Sequence, residues 1–329
     1  PRSTLFPYTT LFRSGPAGFN LFYGADVVQQ FSPISLFAMA FIAVVVGSQL
    51  SYQRIHNALG RISFITLAEV AGASVLVGTV LYLVSGNIWI ALLLGALATE
   101  TAPTTTLAVV RDNRARGPFV KTLMAVVALD CGICILLFSL AQEWTAKYYT
   151  GYGFIGGHPL THFIWQLVGA LIFAALIGQG MYIAIHRWNL PDFVVMFIAV
   201  LAVAGFAPVF MLNRLLTGLC LGVYLANFSI ELDRYARAFE PIEMLLFTGF
   251  FTLAGIGFHW ESLSHAGWIC LFYIITRIIG KASGALIGGW LSGSPRRIMN
   301  SMPLSLIPQA GVAMGLILIL KNDTRIPAH

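Results

Sequence analysis

The sequence predicts an all-α polytopic membrane protein, with about ten transmembrane helices at roughly 20 residues per span. Three observations predict it. Of 329 residues, 58% are hydrophobic and only 10% are charged, with a mean hydropathy of +0.82. A water-soluble domain carries about 25% charged residues, so a water-facing surface cannot be built from this inventory. The apolar residues also gather in long runs separated by short polar loops, and two of those runs are interrupted midway by proline among polar residues. This pattern excludes an ordinary cytosolic enzyme, a disordered chain and a secreted disulfide scaffold.

Residues 1–14, PRSTLFPYTTLFRS, have no helical or strand period, and their apolar run is too short for a signal-peptide core. They resemble the translation of a sequencing adapter, so a transmembrane domain is expected over 15–329. The last residues, KNDTRIPAH, follow directly on an apolar run, and a truncation is expected there. Between the ends lie ten apolar segments: A (34–50), B (63–84), C (88–110), D (118–142), E (163–185), F (193–210), G (215–229), H (241–258), I (266–291) and J (302–320). In lipid each must satisfy its own backbone donors, and helix is the state that does so.

Charge sets the orientation. The loops after A, C, E, G and I hold eleven basic residues: Arg54, Arg61, Arg111, Arg114, Arg116, Lys121, Arg187, Arg234, Arg237, Arg296 and Arg297. The loops after B, D, F, H and J hold four: Lys147, Arg214, Lys321 and Arg325. The first set is therefore expected in the cytoplasm. The aromatic, glycine-rich stretch over 143–162 is expected as an external loop. The net charge of +6 is explained in the same way, and no basic run carries the interleaved aromatics of a nucleic-acid binder. Cys131 and Cys134 have CxxC spacing, but no second pair completes a transition-metal site. With Cys220 and Cys270 they read as packing residues.

Charges inside a bilayer cost about 3 kcal/mol each on insertion scales, which makes them functional candidates. Five stand out: Glu69 in B, Glu100 in C, Asp130 in D, and Arg277 and Lys281 in I, four apart and so on one helical face. Structural pairing between helices is the competing explanation for Glu69 and Arg277. The interrupted segments carry further polar groups. In C, Thr99, Glu100, Thr101 and Thr104 flank Pro103; in J, Pro308 and Gly311 stand three apart. Two interrupted helices in corresponding halves are the mark of an inverted-repeat transporter, whose broken ends and freed carbonyls bind an ion at midplane.

Five stretches resemble, in order and spacing, the monovalent cation:proton antiporters of the sodium/proton exchanger superfamily. They are TAPTTTLAVVRDNRARGPFVKTLMAVVALD (101–130), LTGLCLGVYLANFS (216–229), FEPIEMLLFTGFFTLAGIG (239–257), RIIGKASGALIGG (277–289) and LIPQAGVAMGL (306–316). The resemblance implies a core of B, C, D, I and J moving against a panel of the other helices. It puts the cation beside Asp130 where C and J cross, with Lys281 as cationic partner. It also implies two helices missing at the N-terminus and one at the C-terminus. There is one departure. The family carries Asp-Asp or Asn-Asp on helix D with the second Asp essential, whereas this chain reads Asp130-Cys131. Glu100 is then a candidate for the second carboxylate.

The implied function is exchange of a monovalent cation, sodium or potassium, for protons. No cofactor is expected beyond these substrates. The partners are the lipid bilayer and a second copy in a homodimer, and the location is a cell membrane, taken as a bacterial inner membrane. Exchange needs one group that binds either a proton or a cation. A carboxylate does so when burial, which disfavours its charge, is balanced by a nearby ammonium, which favours it. Thr101, Thr104 and the freed carbonyls are expected to complete the oxygen shell. A gated channel or potassium efflux system of the same fold and an inactive homologue remain as alternatives. An intramembrane enzyme would need paired catalytic groups in a recognisable motif, and none is present.

Overall fold

The computed structural model describes residues 32–151, 158–228, 260–309 and 311–321, with shorter stretches between 245 and 256 and at 323, 325 and 326. Among the described residues every regular element is a helix. We label them α1 Ser32–Ser48, α2 Leu59–Ser85, α3 Ile88–Leu97, α4 Pro103–Asp112, α5 Pro118–Thr150, α6 Pro159–Trp188, α7 Asp192–Phe206, α8 Arg214–Phe228, α9 Trp260–Leu291, α10 Arg296–Ser305 and α11 Gly311–Lys321. Segment H falls largely outside the described residues, as do 152–157 and the arginines of the loop after G. Five helices among those described are long and apolar enough to cross a membrane: α2, α5, α6, α7 with its 3-10 extension to Phe210, and α9 from Gly267.

The segments of C and J are indeed interrupted. Each resolves into two half-helices of 10 or 11 residues, α3 with α4 and α10 with α11. Ten residues rise about 15 Å, half of a bilayer's hydrocarbon thickness. Pro103 is the first residue of α4, where its missing donor costs nothing. Pro308 lies within the second break and Gly311 opens α11. The second interrupted helix begins earlier than its apolar run suggests, at Arg296, because Arg296 and Arg297 form the polar first turn of α10.

The chain divides into two units. The first comprises 1–49 and 168–265. Within it α1 and α8 meet through glycine: a Cβ on Gly218 would stand 2.8 Å from the Ala40 carbonyl oxygen. The second unit, 50–167 and 266–329, gathers the segments that the resemblance assigns to the core. Its hydrophobic centre joins Ile62 and Ile65 of α2, Val126 of α5, Ala285 of α9 and Met302 of α10. The turn between α2 and α3 is closed by Gly86 at φ 65° and by Asn87, whose side chain accepts from Trp89 N at 2.9 Å.

One crossing in this unit positions the site. Gly280, Gly284 and Gly288 form a small-residue stripe on α9 that lies on Phe64, Ala68 and Gly72 of α2. A Cβ on Gly280 would stand 2.6 Å from the Gly72 carbonyl oxygen, closer than any real Cβ contact. This approach carries Lys281 to Glu69. Gly280→Ala should therefore cost about 1–3 kcal/mol, the usual range for overpacking. The thermal melting of the detergent-solubilised protein is the measurement, and an unchanged melting temperature would contradict the crossing.

The expected external loop over 143–162 is shorter than its composition suggests. Helix α5 runs on to Thr150, with the Thr145 and Thr150 hydroxyls donating to carbonyls one turn back, and it ends at Gly151, φ 69°. Helix α6 is already formed from Pro159. The extra turns are held by a buried polar network. The Glu143 carboxylate takes His162 Nδ1 at 2.9 Å and Arg325 Nη2 at 3.1 Å, and Gln142 Nε2 donates to Asp323 at 2.7 Å.

Candidate functional site

The two breaks meet. The Ala102 amide donates to the Pro308 carbonyl at 2.9 Å, joining the first break to the second. Around this contact the C-terminal ends of α3 and α10, which carry partial negative charge, lie with the starts of α4 and α11, which carry partial positive charge. Helices α2, α5 and α9 and the first break supply the ionisable side chains. Glu69, Glu100, Asp130 and Lys281 are fully buried, and Arg277 is 4% exposed.

The Lys281 ammonium is the centre of the cluster. It donates to Glu69 Oε1, to the Thr99 carbonyl at 2.8 Å and to Thr101 Oγ1 at 2.7 Å, and stands 3.6 Å from Asp130 Oδ2. Thr101 Oγ1 donates in turn to Asp130 Oδ2 at 2.8 Å. Glu69 Oε2 and Asp130 Oδ1 receive no N–H or O–H donor among the described residues. Lys281 thus stands between the two carboxylates, paired with Glu69 Oε1 on one side and facing Asp130 Oδ2 on the other.

The structure brings Asp130, Thr101 and Lys281 together as the sequence suggests, with corrections. The nearest carboxylate to Lys281 is Glu69, not Asp130. Glu69 and Asp130 share Lys281, while Glu100 is fully buried in the first break with its main-chain oxygen taken by Arg277. Arg277 serves main-chain oxygens: Nη1 donates to the Ile307 carbonyl and Nη2 to the Glu100 carbonyl, each at 2.6 Å. The side chain of Thr104 lies outside the described residues.

Several carbonyls freed at the breaks accept side-chain donors. Gln309 Nε2 donates to Leu97 O at 3.0 Å, Lys281 to Thr99 O, Arg277 to Glu100 O, and Cys131 Sγ to Thr101 O at 3.0 Å. Cys134 Sγ donates to Ala96 O at 3.4 Å. Tyr273, Arg277 and Lys281 recur every fourth residue along α9, and all three serve the breaks, Tyr273 through a hydrogen bond with Gln309. Gln309 is the residue that sequence reasoning left out; Glu69 stands out in the sequence as a carboxylate within a 27-residue apolar helix but is not assigned there to the cation site.

Paired broken helices crossing beside a buried acid–base cluster define an integral membrane transporter of ions. The model of the sodium/hydrogen exchanger family, transmembrane, matches residues 14–329, and the chain belongs to that family. Its class of activity is cation/proton exchange, and the family consists of transporters rather than enzymes. The fold is that of the sodium proton antiporter MjNhaP1 from Methanocaldococcus jannaschii. The structure of that protein at pH 8 superposes with a TM-score of 0.76 at 16% identity, over 97% of this chain and 81% of that one. An electron-microscopy structure of the same antiporter gives a TM-score of 0.73 at 16% identity, over 97% and 80% of the two chains. No curated protein matches by sequence.

Proposed function

We propose that this chain exchanges sodium for protons at the Lys281 cluster. The observation that carries the reading is the placement of one ammonium among the oxygens of Glu69, Thr99 and Thr101, with Asp130 at 3.6 Å. Those oxygens are the ligand set of a small hard cation, and the ammonium holds it by tether. Two carboxylates and one ammonium leave a single negative charge. Buried charge is tolerated only when compensated, so the cluster takes up one further positive charge, a proton on the carboxyl pair or an alkali cation on the carboxylate oxygens that the ammonium leaves open, Glu69 Oε2 and Asp130 Oδ1. Binding one excludes the other, and reorienting the site between membrane faces then exchanges them one for one. Cys131 adds no titrating group, because its thiol is spent on the Thr101 carbonyl.

The test is a pH gradient across proteoliposomes carrying the purified chain. Sodium should dissipate it and choline should not, with no net current. A gradient that no alkali cation dissipates would overturn the reading. Potassium in place of sodium and a homodimeric assembly are the finer expectations. The first is read from a cation series in the same assay, the second from the mass of the solubilised particle.

Orientation follows from the basic loops. With the α4–α5 connection cytoplasmic, a membrane-impermeant thiol reagent applied outside should modify a single cysteine at position 150 and spare one at 114. Both positions are exposed at helix ends. The reverse pattern inverts the assignment.

A further inference from the structure

One hydroxyl near the carboxylates has no part in the mechanism proposed above. Thr66 lies on α2, three residues before Glu69 and so on the same helical face. It is 1% exposed. A buried threonine in a helix ordinarily donates its hydroxyl to a carbonyl one turn back. Among the described residues Thr106, Thr122, Thr145, Thr217 and Thr276 all do so, each to the carbonyl four positions earlier, at 2.5–2.9 Å. Thr66 Oγ1 makes no hydrogen bond among the described residues. A buried hydroxyl without a partner is costly, and valine has the same shape without that cost.

Its position gives the hydroxyl a use. One turn earlier on α2, Ile62 packs in one cluster with Val126 of α5. One turn later, Glu69 shares Lys281 with Asp130, which follows Val126 by one turn of α5. Thr66 is set between these two levels of the α2–α5 packing. Side chains on a helix lean towards its N-terminus, so the Glu69 carboxylate reaches back over the turn that carries Thr66. Glu69 Oε2 and Asp130 Oδ1 also receive no donor among the described residues. Two charged oxygens and one neutral oxygen are therefore buried at neighbouring levels, and none is spent on another. Oxygens around a metal cation are arranged in this way, each turning a lone pair to the ion. A small hard cation takes neutral oxygens together with carboxylates.

We propose that Thr66 is a ligand of the transported cation: its hydroxyl oxygen is the neutral member of a shell whose charged members are Glu69 Oε2 and Asp130 Oδ1. The proposal rests on the exchange reading given above and adds a division of labour to it. The carboxylates bind either a proton or the cation. The hydroxyl, which accepts no proton at ordinary pH, strengthens the hold on the cation alone.

The experiment measures the sodium KM of the full chain in proteoliposomes at one fixed pH, and the melting temperature of the solubilised protein in choline chloride, for the wild type, Thr66→Val and Thr66→Ser. Valine keeps the shape and removes the oxygen; serine keeps the oxygen. In Thr66→Val the sodium KM should rise about tenfold, the loss of one contact comparable to a hydrogen bond, with Vmax near wild type. Its melting temperature should equal or exceed that of the wild type, because an unpartnered buried hydroxyl has been removed. Thr66→Ser should keep its KM within about threefold of the wild type. A wild-type KM in Thr66→Val overturns the proposal and leaves the exchange reading standing; that result also follows if the hydroxyl serves only a bound water. An equal rise in both variants overturns it, since the oxygen is then not what matters. A Thr66→Val protein that melts below the wild type or fails to reach the membrane overturns it too, since the hydroxyl is then structural. A wild type that sodium does not drive overturns the exchange reading itself, and this proposal with it.

Discussion

Asp130→Asn should abolish cation-driven proton flux while leaving the protein folded in the membrane. The amide keeps the shape of the side chain, and its carbonyl oxygen can still accept the Thr101 hydroxyl, which donates to Asp130 Oδ2 at 2.8 Å. The charge balance changes. With one carboxylate removed, Glu69 and Lys281 neutralise each other, and nothing remains for a proton or a cation to compensate. Removing one partner from a buried charge cluster shifts the balance by about 3 kcal/mol or more. A loss of that size corresponds to about 100-fold in affinity. Exchange should therefore fall at least that far in proteoliposomes, with the melting temperature of the solubilised protein close to wild type. Undiminished exchange would move the site away from Asp130. Glu69→Gln should give the same loss, because the second carboxylate contributes the same charge.

Much of this site is readable from the sequence, and the unread part has a definite physical reason. A charge within an apolar run is visible anywhere in a chain, so Glu69, Glu100, Asp130, Arg277 and Lys281 all stand out. Proline and glycine among polar residues likewise mark both breaks. Pairing is what the sequence leaves open. Glu69 and Lys281 are 212 positions apart, and their meeting depends on the glycine stripe of α9 lying on α2. The family resemblance sets Lys281 with Asp130 and leaves Glu69 aside. The occupation of the freed carbonyls is hidden in the same way. Whether Leu97 O or Glu100 O is open to an ion depends on where Gln309 and Arg277 arrive from, and both come from distant segments. The end of α5 is a smaller case. Aromatic and glycine-rich composition over 143–162 reads as a loop, yet Glu143 is buried with His162 and Arg325, and the helix continues through Thr150.

Lys281→Ala should destabilise the protein strongly and make its stability depend on the alkali cation present. The substitution withdraws the one ammonium shared by Glu69 and Asp130, both fully buried. Leaving buried charge without its partner costs about 3–5 kcal/mol, so the melting temperature in choline chloride should fall well below wild type. The substitution also vacates the oxygens that the ammonium held. A cation that fits them binds the folded state alone, and at 100 times its Kd it returns about 2.7 kcal/mol. Sodium should therefore restore most of the lost melting temperature, while the wild type, whose own ammonium already fills the place, should gain much less. Acid should rescue the variant too, since a proton on the carboxyl pair removes the same uncompensated charge. The order in which lithium, sodium and potassium restore stability then reads out the selectivity of the cluster without any transport measurement. Equal melting temperatures in sodium and choline would mean that these oxygens do not form the cation site.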